Sequence, residues 1–236
     1  MIAVAGPSLE SVTGPGQDLQ HESPLPGQSR FWDTVDDDVE DLASVLAVAD
    51  DPVVVEADLA AGRLRCPRCH GPLGPWSWAR EREVRRLGAR QRIRPRRSRC
   101  RDCRATHVLV PVSTLARRRD ASAVIGAALW ARHGGAGHRR IAADLGLPEA
   151  TVRGWLRRFA ERAGQVRAVA AAWLHRLDPL HPGIQARGSP PHDALEAIGL
   201  VVAAARRRWG PGAPPWHVIA GLTGGALLST GTLSMP

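Results

Sequence analysis

Apolar residues recur at helical spacing through the second half of the chain and fall into short, irregular runs before it. Val124, Ile125, Ala128 and Leu129 predict a helix that starts at Asp120, a good N-cap, and ends at Gly134-Gly135. From His138 to Arg157 the apolar positions are Ile141, Leu145, Leu147, Val152 and Trp155, with small Ala142 inside and Gly146 at the turn. That pattern predicts two helices meeting at about 90–120°. Val166, Val169, Ala170, Trp173 and Leu177 extend a helical stripe until Asp178-Pro179 and His181-Pro182-Gly183 break it. Asp193 is read as the cap of a helix through Arg208, and Trp216 to Leu228 as a final short one. Upstream, Leu42, Val45 and Leu46 predict a short amphipathic helix, and Val53-Val54-Val55 a strand. Around Gly88 the pattern predicts a hairpin, with Arg90, Arg92 and Arg94 on one face of its returning strand and Ile93 on the other. Pro95 interrupts that strand. Trp76, Trp78, Val84 and Leu87 are expected to line a small core.

Cysteine changes the picture. All four cysteines lie in two Cys-x-x-Cys pairs, Cys66–Cys69 and Cys100–Cys103. Two such turns direct four sulfurs onto one tetrahedral ion, which predicts a zinc ribbon over residues 61–112. Other readings of the same residues are a four-sulfur iron site, a thioredoxin-like redox pair and two disulfides. Neither pair opens a helix as a redox motif does. Met1 to Glu10 has no basic n-region or apolar core, so no signal peptide and no oxidising compartment are expected. The thirty residues from His70 to Arg99 make a longer spacer than the commonest ribbons have. With four sulfurs at hand, His70 and His107 are read as bystanders.

Charge is segregated along the 236 residues. Residues 1–60 carry thirteen Asp/Glu and one arginine, Arg30; residues 61–236 carry thirty-one arginines and ten Asp/Glu. Lysine and tyrosine are absent. A count of −12 followed by +21 suggests an acidic, largely disordered arm before a polyanion-binding body. Guanidinium groups bind phosphate bidentately and stack on bases. The longest apolar stretch, Ala197 to Ala205, is far short of the ~20 residues a bilayer demands. A protein of the cytoplasm, associated with the nucleoid and not with membranes, is expected.

In a helix-turn-helix the first residues of the second helix contact base edges. Here that places Arg153 against a guanine, Thr151 and Arg157 on phosphate, and Arg139 and Arg140 of the preceding helix on the backbone. The twelve arginines from Arg80 to Arg104, with Arg92, Arg94 and Arg97 as representatives, are expected to contact phosphate without sequence preference. Gly154 is awkward inside a helix, where glycine costs about 1 kcal/mol relative to alanine.

The runs Cys66-Pro67-Arg68-Cys69, Arg99-Cys100-Arg101-Asp102-Cys103, Thr106–Pro111, Gly137–Ala142 and Thr151–Leu156 resemble a group of actinobacterial zinc-ribbon plus helix-turn-helix proteins. These are similar in layout to the DNA-binding N-terminal region of insertion-sequence transposases. The resemblance covers about residues 60–230. It implies zinc on the four cysteines and DNA at Thr151, Arg153 and Arg157. It also implies a mainly α fold with a small β zinc ribbon, a homeodomain-like three-helix helix-turn-helix at 118–162 and a C-terminal helical region at 163–236.

A transposase catalytic domain sets three carboxylates on an RNase H-like sheet. After Phe159 the acids are only Glu161, Asp178, Asp193 and Glu196, in a segment that reads as helical. No lysine is present for a phosphate-binding loop. The expected function is therefore zinc-dependent binding of double-stranded DNA, as a regulator or transposon accessory factor, without catalysis. Homodimerisation through the C-terminal helices is a prior expectation. A transposase fragment and a zinc-ribbon module for protein contacts are the alternatives.

Overall fold

The computed structural model describes residues 45–186, 188–229 and 233. The acidic arm before residue 45, with Leu42, lies outside them. Strands β1 (Val45–Val48), β2 (Leu73–Trp78), β5 (Arg96–Cys100) and β6 (Thr106–Pro111) form one mixed sheet in the order β1-β6-β5-β2. β1 runs parallel to β6, and β5 is antiparallel to both β6 and β2. β3 (Arg82–Arg86) and β4 (Ala89–Ile93) form a separate hairpin, turned at Leu87-Gly88 with Gly88 at φ 69°. The helices are α1 (Pro52–Ala60), α2 (Ser122–His133), α3 (His138–Leu145), α4 (Glu149–Leu177), α5 (Pro190–Trp209) and α6 (Pro215–Leu222).

This overturns the expectation of a mainly α fold with a small ribbon. Among the described residues helices take 46% and strands 19%, and the ribbon is part of a four-stranded mixed sheet beside a two-stranded one. The sequence pattern missed this because β1 and β6 pair across sixty residues, a long-range contact that no local period announces.

Local readings shift as well. Val45 and Leu46 lie in β1 rather than a helix, and Val53-Val54-Val55 lie in α1 rather than a strand. The β-branched triplet is overridden by its start: Asp51 accepts the Val53 N–H at 2.8 Å and Pro52 takes the first helical position. Residues 45–60, counted with the acidic arm, thus contribute one strand and one helix to the body.

Asp120 does not cap α2; Ala121 holds that place, and the Asp120 carboxylate turns to Arg85. α5 begins at Pro190, ahead of Asp193, whose carboxylate accepts the Gly188 N–H at 2.9 Å. The last helix stops at Leu222, short of Leu228.

Two cores result. The larger one gathers α2 through α6 with Val84, Val112 and Leu115 from the sheet side. α4 runs unbroken through residue 162, roughly 43 Å long. Trp216 of α6 fits against Gly126 of α2, where a Cβ would stand 2.0 Å from the indole. The smaller core holds Val48, Val55, Leu59, Leu64, Leu73 and Leu109 together with Cys66 and Cys100. Asp120, only 3% exposed, joins the halves: Arg85 of the hairpin pairs with it at 2.7 Å, and backbone bonds link Arg85 to Arg119 and Ala121.

Candidate metal centre and nucleic-acid interface

Cys66 and Cys69 lie ahead of β2, Cys100 ends β5, and Cys103 lies in the turn between β5 and β6. The antiparallel register sets Leu73 opposite Cys100, which brings the two turns side by side. Each turn closes in the same way. The residue after the second cysteine takes the left-handed conformation, His70 at φ 57° and Arg104 at φ 63°. The N–H of Cys66 then bonds the Gly71 carbonyl, and that of Cys100 the Ala105 carbonyl. The turns interlock, since a Cβ at Gly71 would meet the Asp102 carboxylate at 2.2 Å.

The four sulfurs all lie within 4.8 Å of one another. Cys66 and Cys103 sulfurs are 3.6 Å apart, and those of Cys69 and Cys100 are 3.4 Å apart. These are not disulfides, whose sulfurs bond at about 2.05 Å. Four sulfurs 2.3 Å from a central zinc would be separated by about 3.8 Å, so the set fits a tetrahedral ion. Its charge environment fits too. Burial pushes the Cys66 thiol up to about 12 and also raises Cys100. The Gly71 N–H, then the Cys103 and Cys100 sulfurs, draw Cys69 down to about 7. Buried thiolates need a cation, and a divalent ion supplies it.

His107, expected not to be a ligand, stays outside the four-sulfur set but lies against it. It is fully buried, and its Nε2 stands 3.3 Å from the Cys66 sulfur, the place from which an N–H stabilises a metal-bound thiolate. Only its position on β6, opposite Ser98, reveals this. The expected core of Trp76, Trp78, Val84 and Leu87 also needs correction. Val84 is buried in the larger core, but Trp76, Trp78 and Leu87 are 55%, 45% and 58% exposed. Across the register shift between Pro75 and Ser77 the two indoles part: Trp76 lies under Arg99 on one face of the edge strand and Trp78 under Arg96 on the other, and Leu87 occupies the hairpin tip.

A second site lies at the other end of the hairpin. An open cleft of about 680 Å³ is bounded by Arg117, Arg118 and Arg119 before α2, by Arg153, Arg157 and Arg158 on α4, and by Arg85. Its one carboxylate, Asp120, is engaged with Arg85. Burial, then the nearby Arg158 charge, lowers the proton affinity of Arg118, whose guanidinium also donates to the Leu228 carbonyl. So many cations around one opening attract an anion. Gly154 lies in the cleft wall, and a Cβ there would press on the Arg158 guanidinium at 3.1 Å.

Of the residues expected at DNA, Thr151, Arg153 and Arg157 line this cleft. Arg157 also reaches Glu161 at 3.6 Å. Arg139 and Arg140 are exposed on α3, with Glu149 and Asp144 as loose partners at 3.6 and 3.8 Å. Arg92 is exposed on the hairpin, 3.7 Å from Glu81. Arg94 lies over Trp78, and Arg97 is half-buried on β5. The Arg117–Arg119 triplet went unread as a site, because in sequence it only precedes a helix.

No family model, curated protein or solved structure matches this chain. None of these comparisons relates it to transposases. Among the described residues, no helix is long and apolar enough to cross a membrane.

Proposed function

We propose that this protein binds double-stranded DNA, and that zinc on Cys66, Cys69, Cys100 and Cys103 folds the platform that does so. It acts as a binder rather than a catalyst. The observation that carries this reading is the arginine cleft beside the first two turns of α4. α3 and α4 are joined by a three-residue turn in which Gly146 is left-handed at φ 62°, which supports a helix-turn-helix reading. The N-terminal turns of the second helix enter the major groove in such motifs. Arg153 is then placed to take a guanine edge. Arg117–Arg119, Arg157 and Arg158 are placed to grip the flanking phosphates.

Four sulfurs suit zinc and iron alike; we take zinc, the usual occupant of a closed four-cysteine structural site, and elemental analysis distinguishes the two. Zinc here is structural: it neutralises thiolates and fixes the turns.

Titration of labelled duplex with the zinc-loaded protein at several salt concentrations tests the reading. Six phosphate contacts predict a log–log slope of roughly −5. A flat response would remove the phosphate-binding account and favour a module for protein contacts. Selection of bound sequences from random duplexes adds symmetry: a palindromic site would point to a homodimer.

A further inference from the structure

We propose that the cavity between α2, α4 and α5 binds a small organic carboxylate with an apolar body, and that this ligand opposes DNA binding by drawing Arg153 and Arg157 to its own side. The cavity stands on its own residues. Its coupling to DNA rests on the reading above.

α4 borders two openings on neighbouring faces. Thr151, Gly154 and Arg158 line the arginine cleft, whereas Leu156, Phe159 and Ala160 line a cavity of about 570 Å³ on the other side. Arg153 and Arg157, one turn apart, line both and form the ridge between them. The last turn of α2 and the first turns of α5 complete the walls, and Leu129 and Leu195 extend the apolar floor. Leu129, Phe159 and Leu195 are buried side chains of the larger core, so the floor is fixed. His133 of α2 and His192 of α5 stack at 3.9 Å, which joins the walls before any ligand arrives and limits the entropy lost on binding.

The rim selects charge. Arg132 joins Arg153 and Arg157 there, all three exposed, and no carboxylate lines the cavity among the described residues. Two carboxylates reach its lining residues from outside: Glu161 stands 3.6 Å from Arg157, and Glu196 stands 3.4 Å from His192. Arg132 and Arg153 have no ion pair among the described residues. An apolar floor beneath such cations suits a ligand with one anionic group and a body that needs few hydrogen bonds. A DNA phosphate supplies the charge but has nothing to lay on leucine and phenylalanine. A guanidinium that grips the ligand's carboxylate is withdrawn from the phosphate or guanine it would otherwise meet. Each partner must then weaken the other by the same factor.

Calorimetry with the zinc-loaded full chain at constant ionic strength tests this by comparing 2-naphthoate with neutral 2-naphthamide. The two share a ring system and differ in charge. Naphthoate should bind one to one and about tenfold or more tightly than the amide, because its hydrogen bonds are charge-assisted. Two variants locate it. Ala160→Trp fills the cavity from an exposed position on α4, and Arg132→Gln removes a rim cation that does not line the arginine cleft. Each should weaken naphthoate binding about fivefold or more while zinc content and duplex affinity stay as they were. In the unaltered chain, saturating naphthoate should weaken duplex binding by about fivefold or more, and naphthamide should not. Equal affinity for the two compounds would overturn the site, as would naphthoate binding that neither variant changes. Naphthoate bound at the cavity without effect on duplex affinity would overturn the coupling. Binding sensitive to both variants, in a chain with no duplex affinity, would sink the DNA reading and leave the carboxylate site standing.

Discussion

The sheet half and the helical half of this protein are folded by different means. Among the described residues the helical core contains thirty-six buried side chains, from Val84 to Leu233. The sheet core contains eight, and two of those are cysteines. Burial at about 25 cal/mol per Å² can sustain the first alone. The second resembles mini-domains that need a metal to fold. The two halves meet at Arg85, Asp120 and the Val112–Ser113 segment, and again at His217 and Asp50. Arg85, on the hairpin between β2 and β5, is the one residue from that side that lines the arginine cleft. DNA binding should therefore depend on the metal even though most of its arginines sit on helical segments.

The largest effect should come from removing the metal. Apparent zinc binding free energies in small metal-folded modules are about 10–16 kcal/mol. Chelation, or a Cys66→Ser substitution, should release amide protection across β1, β2, β5 and β6 and leave α2 to α6 protected. Hydrogen exchange read by mass spectrometry separates these outcomes. Uniform loss across both halves would break the comparison.

Next comes Phe159→Ala, which empties a fully buried site on α4 and should cost about 3–5 kcal/mol in urea unfolding. Zinc stoichiometry in the folded protein should stay unchanged, since Phe159 belongs to the other core.

A smaller effect is expected at the boundary. Asp120→Asn leaves Arg85, itself partly exposed, without its charge partner and should cost about 1–3 kcal/mol. A double-mutant cycle with Arg85→Gln should recover most of that as coupling. Additive losses would mean that the halves are not joined here.

The smallest effect is a pH dependence at a second junction. His217 of α6 faces Asp50, which follows β1, at 3.3 Å. Burial lowers its proton affinity below the ordinary 6.5; Asp50 opposes the shift and Arg86 adds to it. The folded state thus binds the proton less readily than the unfolded one. Stability from this group is present above about pH 6.5 and is lost as the pH falls through the folded value. His217→Gln should flatten the pH dependence of the melting temperature between pH 7 and 5.

Much of the helical half was legible because its signals are local. The stripes on α2 to α5 and the left-handed Gly146 follow from spacing alone, and so do the cysteine pairs. What the sequence hid is what tertiary contacts decide. β1 pairs with β6 across sixty residues, His107 reaches Cys66 only through the sheet, and Asp120 gives up a helix cap for Arg85. The valines of α1 show a strong strand propensity yielding to a well-made helix start. Trp76 and Trp78 read as core because large aromatics usually are; on the edge strand β2 each lies under an arginine instead.

The most direct measurement is the duplex affinity of one preparation before and after its metal is stripped, with zinc counted in both states. The account predicts a zinc ion held by the four cysteines, tight salt-sensitive binding when it is present, loss of that binding when it is removed, and recovery when zinc is returned. A metal-free protein that holds duplex DNA as tightly as the loaded one would contradict it.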